Sequence, residues 1–183
     1  MKRVAVFLLC LTPVACALPS AAGAQRHPDL ARVEALVIDG TNAFRREVNL
    51  EPVGRNARLG EAAREFASFM ARTGKFDHDA DGRKPAERAL AHGYRYCFIA
   101  ENISYEYNSR DFQTEDLARR FVQGWKESPG HRRNMLKGEA TEIAVAVARA
   151  SARGAPRYYA VQLIGQPRGE RGCRSTRAAA PVR

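Results

Sequence analysis

Apolar residues recur at helical spacing through the first two thirds of this chain. Four segments therefore predict helices: 28–50, 57–73, 85–92 and 114–127. The segment 57–73 has the clearest pattern, because one apolar stripe faces a side of charged and polar residues. Glycine at position 40 weakens the middle of the first helix, and Gly74 is a natural end for the second. Proline at position 85 suits the first turn of the third helix.

Two later segments alternate between apolar and small or polar residues. The segments 141–149 and 157–164 predict two strands of a hairpin, joined by the loop 151–156, and 98–106 is a further possible strand. Alanines at 144, 146 and 148 form one face of the first hairpin strand, so a helix can pack closely there. Helices followed by late strands predict an α+β fold with one central sheet.

Local signals mark the ends of the fourth helix. Thr114 is expected to cap its start, where the acids Glu115 and Asp116 suit the helix dipole. The run Ser128-Pro129-Gly130 is expected to end this helix. Between the second and third helices, residues 75–84 predict a polar loop.

The first 24 residues have the pattern of a secretory signal peptide. A basic start is followed by the apolar run 4–11 and by the sequence Ala22-Gly23-Ala24, which resembles a cleavage site. The apolar run is shorter than the roughly 20 residues of a membrane span. A buried N-terminal helix and lipid attachment at Cys16 are the alternatives. The chain is therefore expected to be secreted or periplasmic, and not a transmembrane protein.

Positive charge is concentrated near the C-terminus. The chain of 183 residues carries a formal charge of +10, and removal of residues 1–24 lowers it to +8. Five arginines and one acid follow residue 167, so we expect a folded domain over 25–167 and a disordered basic tail over 168–183. The tail either contacts anionic lipid or polysaccharide or only aids solubility. Export and the position of this charge argue against nucleic-acid binding.

Two cysteines, Cys97 and Cys173, remain after the signal peptide is removed. Disulfides persist in exported proteins, and two cysteines permit a single intramolecular bridge. A thiol dyad of Cys97 with His131 is the alternative interpretation.

Three polar residues in separate segments are candidates for a functional cleft. His78 lies in an acidic loop, and His131 follows the predicted helix break. Glu101 stands among apolar residues in a strand-like segment, where an unpaired buried charge would cost several kcal/mol. Glu101 would therefore face one or both histidines. The three side chains either form a polar network that holds the loops or provide the open ligand set that zinc uses.

Short motifs along the chain resemble those of a known family. They are NAFR (42–45), LEPV (50–53), FDH (76–78), Glu-Arg (87–88), Gly-Tyr (93–94), AENI (100–103), WKESPGHRRNML (125–136), TEI (141–143) and YAVQ (159–162). Their order and spacing resemble the CAP superfamily, or SCP domain, over residues 33–167. This family contains cysteine-rich secretory proteins, venom antigens, plant pathogenesis-related proteins and exported bacterial proteins.

The resemblance implies a three-layer α-β-α sandwich with one central, mostly antiparallel sheet. It also implies that His78, Glu101 and His131 line a surface cleft. Plant and animal members add a second cleft acid where this chain has Ser128, so Glu127 or Glu87 is expected to take that place. Three alanines depart from the family pattern, since glycine is usual at the positions of Ala100, Ala144 and Ala146.

The resemblance does not supply one function. The first hypothesis is an exported, monomeric binding or interaction module whose ligand is a lipid, a glycan or a protein. The second is a zinc-dependent hydrolase of peptide, ester or cell-wall substrates. Zinc would be held by His78, Glu101 and His131, and Glu127 or Glu87 would act as base. We favour the first, because the sequence identifies no nucleophile or base.

Overall fold

The computed structural model describes residues 27–150, 155–169 and 173. The elements in chain order are α1 (Leu30–Glu47), β1 (Gly54–Arg55), α2 (Ala57–Thr73), α3 (Pro85–Ala91), β2 (Tyr96–Tyr107), α4 (Thr114–Glu127), α5 (Pro129–Met135), β3 (Glu142–Ala150) and β4 (Arg157–Pro167). The predicted signal peptide, the lipidation site Cys16 and most of the predicted basic tail lie outside the described residues. Within those residues, no helix is long and apolar enough to cross a bilayer.

The strands form one mixed sheet in the order β1-β3-β4-β2. Strand β4 pairs antiparallel with both β3 and β2, which confirms the predicted hairpin, and β1 pairs parallel with β3. Strand β2 forms one edge of the sheet. Two side chains from the helices beside it donate to its carbonyl groups: the indole of Trp125 to Ile103 (3.4 Å) and the amide of Asn134 to Glu101 (3.2 Å).

Helices cover both faces of this sheet, which confirms the three-layer sandwich. On one face, α2 packs with Ala144, Ala146, Ile103 and Tyr159 of the strands. On the other face, α1 and α4 form a second apolar cluster with the alternate residues of β3 and β4. The small alanines of β3 thus lie under α2, as the alanine face predicted.

The helix predictions over 28–50, 57–73, 85–92 and 114–127 are confirmed, with small differences at their ends. Asp29 accepts from the backbone of Arg32 (3.1 Å) at the start of α1. Gly74 ends α2 in the left-handed region, with φ of 70°. That conformation costs glycine little because it has no Cβ atom.

One local prediction is wrong, and two short elements were not predicted. Thr114 does not cap α4; the cap position is Gln113, and the Thr114 hydroxyl instead accepts from the backbone of Asp29 (3.0 Å). The predicted break at Ser128-Pro129-Gly130 is confirmed, since α4 ends at Glu127, but Pro129 then opens a further helix, α5, that was not predicted. The short strand β1 was not predicted, because two residues carry no periodicity.

A disulfide joins Cys97 at the start of β2 to Cys173, with 5.4 Å between the Cα atoms. This confirms the predicted bridge and removes the alternative thiol dyad with His131. The bridge, together with a bond of 2.8 Å from the amide of Arg168 to the carbonyl of Arg95, holds the chain after β4 against the start of β2.

Two helix glycines differ in their surroundings and give a matched test of the packing between α1 and α4. A Cβ at Gly40 would lie 2.9 Å from a methyl carbon of Val122, whereas one at Gly124 would meet nothing within 4 Å. We predict that Gly124→Ala raises the free energy of unfolding by about 1 kcal/mol through helix propensity. We predict that Gly40→Ala lowers it by about 1 kcal/mol, because overpacking outweighs that gain. Urea denaturation of both variants measures the difference, and equal effects would contradict the close α1–α4 contact.

Candidate functional site

The first candidate histidine lies in a tight loop between α2 and α3. The carboxylate of Asp77 accepts from the backbone amide of His78 (2.6 Å). Two turns follow, in which the amides of Ala80 and Gly82 donate to the carbonyls of Asp77 and Asp79. Gly82 has φ of 82°, a conformation that favours glycine. The loop is therefore ordered by its own backbone bonds.

Helix α3 directs a fully buried arginine at this loop. One terminal nitrogen of Arg88 donates to Asp81 (2.7 Å) and to the carbonyl of Arg83 (2.6 Å). The other donates to the carbonyl of His78 (2.9 Å) and to Oε2 of Glu101 (2.8 Å). Since Arg88 is 0% exposed, its charge depends on these acceptors for compensation. The arginine thus ties the loop to strand β2.

The guanidinium of Arg88 also stacks on an aromatic ring. Its central carbon lies 3.5 Å from the ring centroid of Phe66 on α2. A cation over a ring face is attracted to it, and more strongly when water is excluded. The Nε atom of Arg88 is buried without a hydrogen-bond partner in the described part of the chain. The ring and the four acceptors together fix the guanidinium plane.

Glu101 and His78 form the centre of the site. Nδ1 of His78 lies 2.8 Å from Oε1 of Glu101. The glutamate side chain is 1% exposed and the histidine side chain 49%. The hydrogen bond to Glu101 raises the pKa of His78. The carboxylate is thus bonded on one oxygen to Arg88 and on the other to His78, whose ring faces solvent.

His131 lies in the first turn of α5, beside the free edge of β2. Its backbone carbonyl accepts from the amide of Asn102 (3.1 Å). Burial lowers the pKa of His131, and the positive charge of His78 lowers it further. Among the described residues, no hydrogen bond or ion pair joins the His131 ring to Glu101. The two imidazoles are therefore neighbours with opposite pKa shifts.

A buried chain of amides holds α5 in place. Asn134 donates to the side chain of Asn102 (2.8 Å), which donates to Gln162 on β4 (2.8 Å). Gln162 in turn donates to the hydroxyl of Thr41 on α1 (2.9 Å). Asn102, Gln162 and Thr41 are all fully buried. A satisfied buried network of this kind permits one arrangement of its members, so it sets the position of His131 relative to β2.

The two acids expected at the fourth corner of the cleft are bonded elsewhere. Glu87 accepts from the backbone amide of Lys84 (2.6 Å) at the start of α3. Glu127 accepts from Gln123 (2.7 Å) one turn earlier on α4. Neither shares a hydrogen bond or ion pair with the two histidines in the described structure. The expectation that Glu87 or Glu127 completes the cleft is therefore not supported by these contacts.

The predicted zinc set is not preformed in this structure. No group of three or more His, Cys, Asp or Glu side chains within the described ranges is placed to hold a metal ion. The physical reason is that Glu101 is already shared between Arg88 and His78. His78 uses Nδ1 in this pairing, and its charge is close enough to His131 to lower the pKa of that ring. Zinc binding stays a prediction.

Arg88 was the functional residue that the sequence analysis missed. The Glu-Arg pair at 87–88 was noted as a motif, but the acid was considered for the cleft instead of the arginine. The apolar residues around Arg88 in α3 were the available signal, because a charge on a mostly apolar short helix needs a partner.

Comparison with known proteins identifies related folds. The model of the cysteine-rich secretory protein family, CAP, matches residues 38–164. The Bacillus subtilis protein YkwD is 28% identical over 113 residues, which are 61% of this chain and 41% of that protein. The chain thus spans less than half the length of that relative.

Solved structures give the same result for the fold. An outer surface protein from Borrelia burgdorferi superposes with a TM-score of 0.59 at 17% identity, covering 73% of this chain and 92% of that one. An extracellular protein containing an SCP domain from Bacillus anthracis gives 0.59 at 21% identity, covering 75% and 41%.

The two histidines should titrate on opposite sides of the ordinary histidine pKa of about 6.5. The pKa of His78 is raised, so its contribution to stability is complete below about pH 6.5 and is lost as the pH rises through its folded pKa. His131 shows the reverse: its lowered pKa costs stability as the pH falls below about 6.5. NMR titration of the ring protons measures both values.

Two variants test the causes of these shifts. Asp77→Asn should lower the pKa of His78, since the charge of Asp77 contributes to raising it. His78→Ala should raise the pKa of His131, whereas Asp116→Asn on distant α4 should change neither. If the pKa of His131 is the same in the His78→Ala variant as in the unchanged protein, the two imidazoles do not interact.

Removing the buried arginine should be far more harmful than removing its exposed neighbour. Arg88→Met removes the buried cation from Glu101 and one of two arginine partners from Asp81, and we expect a loss of about 3–5 kcal/mol in the free energy of unfolding. Arg83→Met removes a partly exposed partner of the same Asp81 and should cost about 1 kcal/mol or less. Urea denaturation at neutral pH compares them, and similar losses would refute the central role of Arg88.

Proposed function

We propose, from the premise that this chain belongs to the cysteine-rich secretory protein (CAP) family, that it acts outside the cytoplasm as a binding or interaction module. The ligand would contact the half-exposed ring of His78 and its neighbour His131. One observation carries the proposal: the Glu101 carboxylate is buried and bonded on both oxygens, so the site presents imidazole edges to solvent and keeps its acid covered.

Export is part of this proposal. The first 24 residues have the pattern of a signal peptide. The Cys97–Cys173 bridge is of a kind that persists in oxidising compartments. The related proteins from Borrelia burgdorferi and Bacillus anthracis are described as an outer surface protein and an extracellular protein. These three observations support a secreted or periplasmic location.

Binding is favoured over hydrolysis because the glutamates considered for the site already accept hydrogen bonds from other groups. In the hydrolase hypothesis both histidines hold zinc, so a carboxylate would have to accept a proton from water. Glu87 bonds the start of α3, Glu127 bonds Gln123, and Glu101 compensates Arg88. The proton-accepting role in the alternative function, a zinc-dependent hydrolase, therefore has no supporting contact among these residues.

A divalent metal such as zinc would be held by His78 and His131. Glu101 would then orient His78 through Nδ1, the arrangement by which carboxylates usually fix a metal-bound histidine. Bound zinc would supply a positive charge to which a lipid, glycan or protein ligand can attach. Because a proton competes for the ring of His78, whose pKa is raised, zinc affinity should increase with pH.

Zinc titration with matched variants tests the proposal. We expect zinc to bind the purified protein, and His78→Ala and His131→Ala each to weaken this binding at least about tenfold. His92→Ala is the control, since His92 pairs with Glu65 and lies outside the site. Isothermal titration calorimetry at two pH values measures affinity and its pH dependence.

Three results would contradict the proposal. Zinc binding that none of the three variants changes would place the metal elsewhere. Equal loss in His92→Ala would show a non-specific effect. Hydrolysis of a peptide or ester substrate that chelation abolishes and zinc restores would favour the alternative function.

A further inference from the structure

The sheet extends beyond the end of the helix that covers it, and this leaves a pocket. Helix α2 ends at Thr73, while β2 and β4 continue to Tyr107 and Arg157, which are paired across the strands. A cavity of about 400 Å³ lies there, between the helix end at 71–74 and these strand ends. We call it the helix-end pocket. Its volume is in the range that holds small ligands.

Two tyrosines, Tyr107 and Tyr159, line the helix-end pocket, and the rings of Tyr105 and Phe76 pack next to them. The ring of Phe76 meets Tyr105 edge-on at 5.0 Å, and Tyr105 packs on Tyr159 at 5.9 Å. The guanidinium of Arg157 lies over Tyr105 (5.1 Å) and Tyr107 (5.9 Å). Tyr107 is 64% exposed, and its ring lies next to the guanidinium of Arg157. An exposed ring face offers a stacking surface to a flat ligand.

The charged side chains that line the helix-end pocket have one sign. Its lining includes Arg72 and Arg157, and no acid is present among the described lining residues. A guanidinium binds a carboxylate through two parallel hydrogen bonds, which gives direction as well as affinity. The strand side of the pocket, next to Arg157 and Tyr107, is therefore suited to an anionic group, whereas the end of α2 carries partial negative charge.

The end of α2 adds hydrogen-bond acceptors. The last four carbonyls of a helix have no intrahelical partner. The carbonyl of Met70 accepts from Gly74, and the three residues whose carbonyls follow it, Ala71, Arg72 and Thr73, all line the pocket. Carbonyl acceptors pair with hydroxyl donors. The ligand class that has a ring face, a carboxylate and several hydroxyls is an acidic sugar.

We propose that the helix-end pocket binds an acidic saccharide. The sugar ring stacks on Tyr107, its carboxylate pairs with Arg157 and Arg72, and its hydroxyls donate to the carbonyls at the end of α2. This site goes beyond the proposed function and is separate from the histidines. Tyr107 and Glu101 lie on the same side of β2, six residues or about 20 Å apart.

Binding of a defined sugar tests the inference. The probe is tri-galacturonate, titrated into the purified protein by calorimetry, with the uncharged trisaccharide maltotriose as the comparison. We expect tri-galacturonate to bind, with an affinity that falls as salt is raised. Tyr107→Ala should weaken it about tenfold through the lost ring contact. Arg157→Ala should weaken it by at least about tenfold and remove the preference over maltotriose.

Matched variants separate this site from the rest of the surface. Arg119→Ala removes an exposed arginine from α4, and Leu90→Ala removes an exposed apolar side chain from α3. Both should bind the sugar as the unchanged protein does. No binding of tri-galacturonate, equal binding of maltotriose, or an equal loss in Arg119→Ala would each overturn the proposal.

Discussion

The side chain of Arg88 carries a permanent positive charge into a region that water does not reach. A buried cation is tolerated only when acceptors surround it, and here they come from the loop at 77–84 and from β2, with a ring of α2 beneath. One arrangement of these segments satisfies the charge. The buried guanidinium therefore fixes the position of Glu101, and Glu101 in turn fixes that of His78. This ion-pair network makes the candidate site rigid.

Much of the fold was accessible from the sequence because apolar spacing determines which face of an element is buried. Helices α2 and α4 have long amphipathic patterns, and their bounds were predicted closely. Strand β1 and helix α5 were missed for different reasons. The former is too short to show a period, and Pro129 with Gly130 were interpreted as a break although proline also opens helices. A residue such as Pro129 can either follow the end of a helix or begin one, and tertiary packing decides which structure forms.

The site was predictable only in part, and the limit is physical. The pairing of Glu101 with His78 followed from the energetic cost of an isolated acid in an apolar strand. The partner that compensates most of that cost, Arg88, lies on another element, and no local pattern ties the two together. Glu87 is the opposite case, because its bond to the Lys84 amide is local to the start of α3, where an acid at the third helical position is a capping signal. Sequence reasoning therefore found the group that needs a partner more readily than the partner itself.

The side chains of Trp125 and Asn134 have an effect beyond the domain's own packing. An edge strand with open backbone groups can act as a template on which another chain adds a strand. At β2, the carbonyls of Ile103 and Glu101 already accept from these two side chains, so the central part of this long edge is closed to a second molecule. Helices α4 and α5 thus protect this edge from pairing with a strand of another molecule, and α5 also carries His131. Loosening that pair would uncover the edge at the same time as it displaced the histidine.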